Sequence, residues 1–270
     1  MDPVSAEIWK NQEMATGIFR LQLRPYAPVR HVAPGRFFMI GLSTGYDPLL
    51  RRPLGHLGVR TTEESILVME FLYEVRGRGT EVLSRLQPPR VISYIGPLGQ
   101  GFRLEPLPTE VIMVAGGLGV VPLYAAASQL ALRSPRPRVT FIYGAKTGRG
   151  LPLAPEISGL TADTILYTED GSKGKRGLAS QGLSETIKKI KGGAVVLACG
   201  PRAMLREVAR IAAKNHTACQ VSLEARMACG LGACLTCAIK GADGKNRRVC
   251  QEGPVFMAEE VDWEALDDCP

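Results

Sequence analysis

Four cysteines near the C-terminus carry the pattern richest in chemistry. Cys229, Cys234, Cys237 and Cys250 are spaced C-x4-C-x2-C-x12-C, within SLEARMACGLGACLTCAIK and the following NRRVCQEGP. Four thiolates, three from one wrapped loop and one from a returning segment, can hold a small core of iron and sulfide. Gly230 and Gly232 let the backbone approach bridging sulfides and turn N–H groups toward them. The rival reading is a structural zinc on four cysteines, which usually shows two C-x2-C knuckles; this chain has one. In a reducing compartment so tight a group favours metal over disulfides. Cys219 and Cys269 lie outside the spacing and read as a core thiol and an exposed tail thiol.

The x4-x2 loop resembles that of plant-type ferredoxins. The gap before the fourth cysteine is shorter here, so the likeness is one of loop logic rather than of fold. Arg226, Arg247 and Arg248 flank the ligands. They either raise a cluster potential or simply solvate the surface.

Glycine loops form the second set. VAGGLGVVPL, with Gly116, Gly117 and Gly119, follows an apolar run and opens a helical pattern, so its N–H groups can face a pyrophosphate. It is not a full G-x-G-x-x-G and also reads as a tight strand–helix turn. ACGPRAML places Cys199 and Gly200 at the end of a later strand, where a ligand lies outside the carboxyl ends of a parallel sheet. Cys199 is then either beside a nicotinamide or a small buried hydrophobe. Lys146 and Arg149 follow another strand end, where cations can bind a 2′-phosphate, so NADH and NADPH both stay open.

Nearer the N-terminus, DPLLRRPLG sets Arg51 and Arg52 before a proline turn, and LYEVRGRGT ends a strand with Gly77, Gly79 and Thr80. Guanidinium forks and backbone N–H groups suit flavin phosphates and ring oxygens. Each is equally a solvated strand end when taken singly. His31, His56 and His216 form no ligand pattern.

Three kinds of segment must position these groups. Residues 1–104 hold short alternating runs such as GIFRLQLRP, RFFMIGL and SILVMEFLYEV, punctuated by Pro and Gly, as in a small barrel or sandwich, with a short helix at GTEVLSRL. Residues 105–220 alternate strands (TEVIMVAGG, VTFIYGA, TILYTED, AVVLACG) with helices (VVPLYAAASQLALR, LASQGLSETIKKI, PRAMLREVARIAAK), which predicts a parallel sheet covered by helices. Residues 221–270 are too few to build a strong core alone, so a metal staple is expected.

Bulk properties exclude several classes. With 33 Lys and Arg against 26 Asp and Glu the net charge is +7, but no dense basic block or aromatic-basic interleaving marks a nucleic-acid surface. The excess either attracts phosphate-bearing cofactors or serves solubility. The opening MDPVSAEIWKNQEM has no apolar signal core, and no apolar run nears the ~18 residues of a membrane helix. A soluble, cytoplasmic protein is expected.

Together RRPLG, LYEVRGRGT, GPLGQGF, VAGGLGVVPL, TEDGSKGKRG, CGPRAML, SLEARMACGLGAC and RVCQEGPVF resemble, in order, the ferredoxin reductase superfamily, and most nearly the electron-transfer subunits of type B dihydroorotate dehydrogenase. The resemblance spans almost the whole chain. It implies an N-terminal antiparallel FAD-binding β-barrel, a central α/β NAD-binding domain and a small C-terminal domain holding a 2Fe–2S cluster. FAD would be held by Arg52, Pro53, Leu54 and Gly55, by Leu72, Tyr73 and Glu74, and by Gly79 and Thr80. The family usually has Ser where this chain has Gly55, which removes one hydroxyl contact. NADH is the implied donor. The implied acceptor is an FMN-containing dihydroorotate dehydrogenase catalytic subunit of pyrimidine biosynthesis, in a heterotetramer with two copies of each subunit. No residue is assigned as a catalytic base. Alternatives are a reductase subunit of a hydrogenase, sulfhydrogenase or ferredoxin–NADP reductase, and a zinc-stabilised binding module without redox activity.

Overall fold

Apolar side chains recurring at every second position pull the first hundred residues into strands. The structure, a computed structural model, describes residues 2–29, 32–42, 47–106, 109–190 and 192–266; His31 and Cys269 lie outside these. Strands β1 (Val4–Ala15), β2 (Ile18–Pro25), β3 (Phe37–Gly41), β4 (Arg52–Thr61), β5 (Leu67–Glu74) and β6 (Val91–Leu98) form a closed antiparallel barrel ordered β1-β2-β5-β4-β3-β6. Phe38 sits in its interior, edge-on to Phe71 at 5.6 Å and Tyr94 at 5.7 Å. The expected proline turn after Arg51 and Arg52 is instead the start of β4, where Pro53 pairs with Met39. Pro is tolerated there because it is only the second residue of the strand, at the edge of the ladder.

Helix α1 (Arg78–Arg85) follows β5. Asn11 of β1 donates to the carbonyls of Leu83 at 2.8 Å and Leu86 at 3.0 Å, and accepts from the Tyr73 hydroxyl at 3.0 Å. This buried network fixes the helix whose first turn carries Gly79 and Thr80.

The middle of the chain builds β7 (Glu110–Gly116), α2 (Val120–Ala131), β8 (Arg138–Ala145), α3 (Ala154–Ser158), β9 (Asp163–Thr168), β10 (Lys175–Arg176), α4 (Ala179–Ile187), β11 (Ala194–Cys199), α5 (Arg202–Lys214) and β12 (Ala218–Ser222). The C-terminal segment adds β13 (Ala238–Lys240), β14 (Asn246–Arg248) and β15 (Val255–Met257). The large sheet is ordered β10-β9-β8-β7-β11-β12-β15 and is parallel except for β15. The cysteine-rich segment thus donates a strand to the central sheet.

Alternation along β7 separates two cores. Val111, Met113 and Ala115 pack with α2 and with Leu57 and Leu72 of the barrel. Ile112 and Val114 face the layer holding Leu183 of α4, Leu205 and Val208 of α5, and the cysteine-rich segment. An ion pair also ties barrel to sheet: Arg20 of β2 reaches Glu156 of α3 at 2.9 Å. Among the described residues no helix is long and apolar enough to cross a membrane.

Candidate cofactor cleft and cysteine loop

Strand order alone places a ligand crevice. From β7 the chain crosses to β8 on one side, while β11 lies on the other, so their carboxyl ends form the switch point where open α/β sheets bind ligands. Both glycine loops lie there. Gly117 has φ +53°, and a Cβ on Gly116 would fall 2.6 Å from Pro201 Cδ and 2.8 Å from Met204 Sδ. A Cβ on Gly119 would strike the Cys199 carbonyl, and one on Gly200 (φ +154°) would lie 2.9 Å from Gly116 Cα. The two loops therefore touch backbone to backbone, leaving N–H groups unobstructed by side chains.

Beside this edge opens a cleft of about 280 Å³. Its barrel wall is Pro53, Leu54, Gly55, Leu72, Tyr73, Glu74 and Thr80; its sheet wall is Leu118, Val121, Pro122 and Cys199. A third wall, Ser222, Leu223, Glu224, Ala225 and Met227, leads directly into the cysteine loop. Sequence reasoning missed this wall, as it missed Arg76 and the α2 residues. The signal for it was the opening of SLEARMACGLGAC, residues 222–227, to which no role in a cleft was given.

Arg52 and Gly79 meet at the cleft's margin: the Arg52 guanidinium occupies the space a Gly79 side chain would fill. Thr80 Oγ1 accepts from the backbone N–H groups of Arg76 at 3.0 Å and Gly77 at 3.3 Å, closing the turn into α1. Arg51, the other member of the pair, folds back across Gly41 of the barrel, where burial lowers its pKa. Cys199 is buried. Desolvation first, then the negative charge of Glu224, push its thiol far up, against the Ser222 hydrogen bond. It is a neutral wall residue at every working pH and not a base.

The four clustered cysteines gather around a hairpin. Cys237 directly precedes β13 and Cys250 follows β14, and the Ala238–Arg248 pairing brings the two together. The Cys234 thiol interacts with Cys229 on the outer loop, and the buried Cys250 thiol interacts first with Cys237 and then with Cys229, so the four thiols are mutual neighbours. The Leu231 N–H points at Cys229 Sγ at 3.3 Å. Hydrogen bonds from Thr236 lower the Cys234 thiol, whereas burial and then its partner Cys237 raise Cys250. Gly230 (φ +72°) seats the loop on the barrel, 2.6 Å from Met39 by its Cβ position, and Gly232 has φ +81°. Arg248 pairs with Glu252 at 3.0 Å and Arg247 with Asp243 at 2.7 Å, so two of the three flanking charges face a carboxylate.

Two pairs of thiols suit a two-iron core, whose irons each take two thiolates. A zinc needs four donors around one point. The donor set and the N–H groups aimed at sulfur fit a 2Fe–2S cluster, and the Arg52–Gly79 margin with its three-walled cleft fits a flavin nucleotide.

Residues 224–262 match the iron–sulfur cluster binding domain of dihydroorotate dehydrogenase B, and residues 113–210 match an oxidoreductase NAD-binding domain. The dihydroorotate dehydrogenase B (NAD(+)) electron transfer subunit of Desulforamulus reducens is 36% identical over 87% of this chain and 88% of its own length. That of Caldanaerobacter subterraneus subsp. tengcongensis is 34% identical over 96% and 98%. This chain belongs to the family of dihydroorotate dehydrogenase B electron transfer subunits. Among solved structures, an NADH-dependent reduced ferredoxin-NADP oxidoreductase superposes with a TM-score of 0.83 at 27% identity, over 97% of this chain and 91% of that one. Electron transfer subunits of this family are components of an oxidoreductase, act with a catalytic subunit, and use FAD, a 2Fe–2S cluster and NAD.

Proposed function

We propose that the chain takes electrons from NADH docked over the Gly116–Gly119 and Cys199–Gly200 loops and delivers them, at the outer edge of the cysteine loop, to an FMN-containing dihydroorotate dehydrogenase catalytic subunit. The observation that carries this reading is the three-walled cleft. Residues from the barrel, from the switch point and from the lead into Cys229 line one space. When bound, FAD supplies a two-electron acceptor able to release electrons singly, and the cluster supplies a one-electron relay.

The chain's own residues hold and orient these groups. Arg52, set by Gly79, would grip the FAD pyrophosphate as a fork. Pro53, Leu54, Gly55 and the strand Leu72–Glu74 would flank the flavin, with Thr80 holding the turn beneath it. Gly116, Gly117, Gly119 and Gly200 would admit the dinucleotide close to the backbone, and Cys199 would exclude water from the reacting edge. Cys229, Cys234, Cys237 and Cys250 would ligate the cluster. The assembly is a heterotetramer of two copies of each subunit, in the cytoplasm, serving the oxidation of dihydroorotate to orotate.

Co-expression with the catalytic subunit tests the reading. The two chains should co-purify with FMN and FAD, and dihydroorotate should drive NAD+ reduction only in the complex. Failure to associate, with normal cofactor content in each chain, would overturn it. The structural likeness to a ferredoxin-NADP oxidoreductase favours a second reading, reduction of a ferredoxin. NADH-dependent ferredoxin reduction by the isolated chain would select that one.

A further inference from the structure

The loops after β8 and β9 lie side by side. The Glu169 N–H donates to the Ala145 carbonyl at 3.2 Å and the Asp170 N–H to the Lys146 carbonyl at 3.3 Å. The Gly148 N–H donates to Ser172 Oγ at 2.8 Å, and a Cβ on Gly148 would lie 3.0 Å from that of Lys173. Arg176 lies over Gly171. The paired loops thus collect Lys146, Arg149, Lys173 and Arg176 on one exposed surface.

None of these four cations has an ion-pair partner among the described residues. Their neighbour Lys175 is already engaged, with Glu185 at 2.9 Å and over the Tyr167 ring at 5.6 Å. The local carboxylates are Glu169 and Asp170. Both are exposed, and Asp170 is held within its own loop, accepting from the Ser172 N–H at 3.0 Å and from its hydroxyl at 2.6 Å, so the four cations outnumber the carboxylates two to one. Four cations without carboxylate partners, on hydrogen-bonded loops, are a site for an anion of high charge density.

Position says which anion. β8 is the neighbour of β7, whose loop carries Gly116–Gly119. In doubly wound sheets an acidic residue shortly beyond the glycine loop binds the ribose 2′-hydroxyl of NAD, whereas an Arg nearby accommodates the 2′-phosphate of NADP. Here Lys146 follows the last residue of β8, with Arg149 three residues on.

We infer that this surface binds a ribose 2′-phosphomonoester and that the chain accepts NADPH as an electron donor alongside NADH. The inference rests on the reading that a nicotinamide dinucleotide docks at the Gly116–Gly119 loop. In the transfer, the C4–H bond of NADPH breaks, its hydride passes to bound FAD, one solvent proton balances the charge, and NADP+ departs, as with NADH.

The test is calorimetric titration of the flavin-loaded chain with adenosine 2′,5′-bisphosphate and with 5′-AMP, inorganic phosphate serving as the control. The bisphosphate should bind about tenfold or more tightly than 5′-AMP, because charge-assisted bonds to phosphate are worth at least that factor. The advantage should shrink as salt rises. Lys146→Ala with Arg149→Ala, and separately Lys173→Ala with Arg176→Ala, should abolish it and leave 5′-AMP binding unchanged. In anaerobic mixing, NADPH should reduce the flavin, and the same variants should lose that reduction while keeping reduction by NADH. Equal binding of the two nucleotides, or NADPH reduction indifferent to both double variants, would overturn the inference and leave the NADH reading standing. No reduction by either dinucleotide would remove both.

Discussion

The guanidinium of Arg52 lies against the Cα of Gly79, in the space a Cβ would occupy. A strand opening in the barrel and the first turn of α1 thereby fix one cation at the cleft's edge. Gly79→Ala should push the guanidinium aside without unfolding the barrel, since the end of a long side chain can move. One charge-assisted contact to phosphate is worth about 1.5–3 kcal/mol, so FAD should bind roughly tenfold or more weakly. The flavin-to-protein absorbance ratio after dialysis measures this, and an unchanged ratio would refute Arg52 as the phosphate anchor.

Gly55 is the reverse case. A Cβ there would sit 3.4 Å from Val121 Cγ1, an ordinary contact. Gly55→Ser should be accommodated and, by removing a strand glycine, add about 0.5–1 kcal/mol of stability. The hydroxyl should also tighten FAD severalfold. A lowered melting temperature would show that α2 packs too closely on β4 for any side chain.

Glu70 is buried, and Arg60 at 2.9 Å, Arg20 at 3.4 Å and Gln22 at 2.6 Å surround it. Burial opposes its ionisation, yet the Arg60 hydrogen bond, the Arg20 charge and Gln22 together outweigh it and hold the carboxyl below its usual range. A depressed folded-state pKa contributes stability above the unfolded value of about 4.3, lost as pH falls through the lower folded value. Glu70→Gln should cost about 1.5–3 kcal/mol at neutral pH, because Arg60 and Arg20 each lose a charge-assisted bond while Arg20 keeps Glu156. The gap between variant and wild type should close as pH falls through that window. Urea melts across pH check it; a constant gap would contradict the charge assignment.

The barrel and the parallel sheet were legible because apolar period and glycine placement are local signals. The runs GIFRLQLRP, RFFMIGL and SILVMEFLYEV are β2, β3 and β5, and GTEVLSRL overlaps α1. β4 was hidden by Pro53, whose usual meaning is a turn. β15 was invisible because three residues carry no period, and only pairing with β12 makes them a strand. In the cleft, Leu72–Glu74 and Cys199 announced themselves through motifs, whereas Ser222–Met227 lie in a motif whose cysteines drew all the attention. They matter because β12 ends beside the switch point. The Arg51–Arg52 pair looked equivalent in sequence, and only the closure of the barrel sends one guanidinium inward over Gly41 and the other to Gly79.

Leu231 and Leu235 flank Cys234 on the cysteine loop with 46% and 60% of their surfaces exposed. Apolar side chains at a point of electron exit suit a docking face. Leu235→Asp should weaken association with the catalytic subunit about tenfold or more, as for an apolar contact at the centre of an interface, and leave iron content unchanged. Surface-immobilised binding measures it. Unaltered affinity would move the docking face elsewhere.

The relay stands most directly on anaerobic titration of the purified chain with NADH, alongside metal and flavin analysis. It requires about one FAD and two irons per chain, with flavin and cluster bands both bleaching. In Cys250→Ser the cluster bands should vanish while the flavin still bleaches. A colourless protein holding one zinc, or a flavin bleached beside four free thiols and no iron, would contradict it.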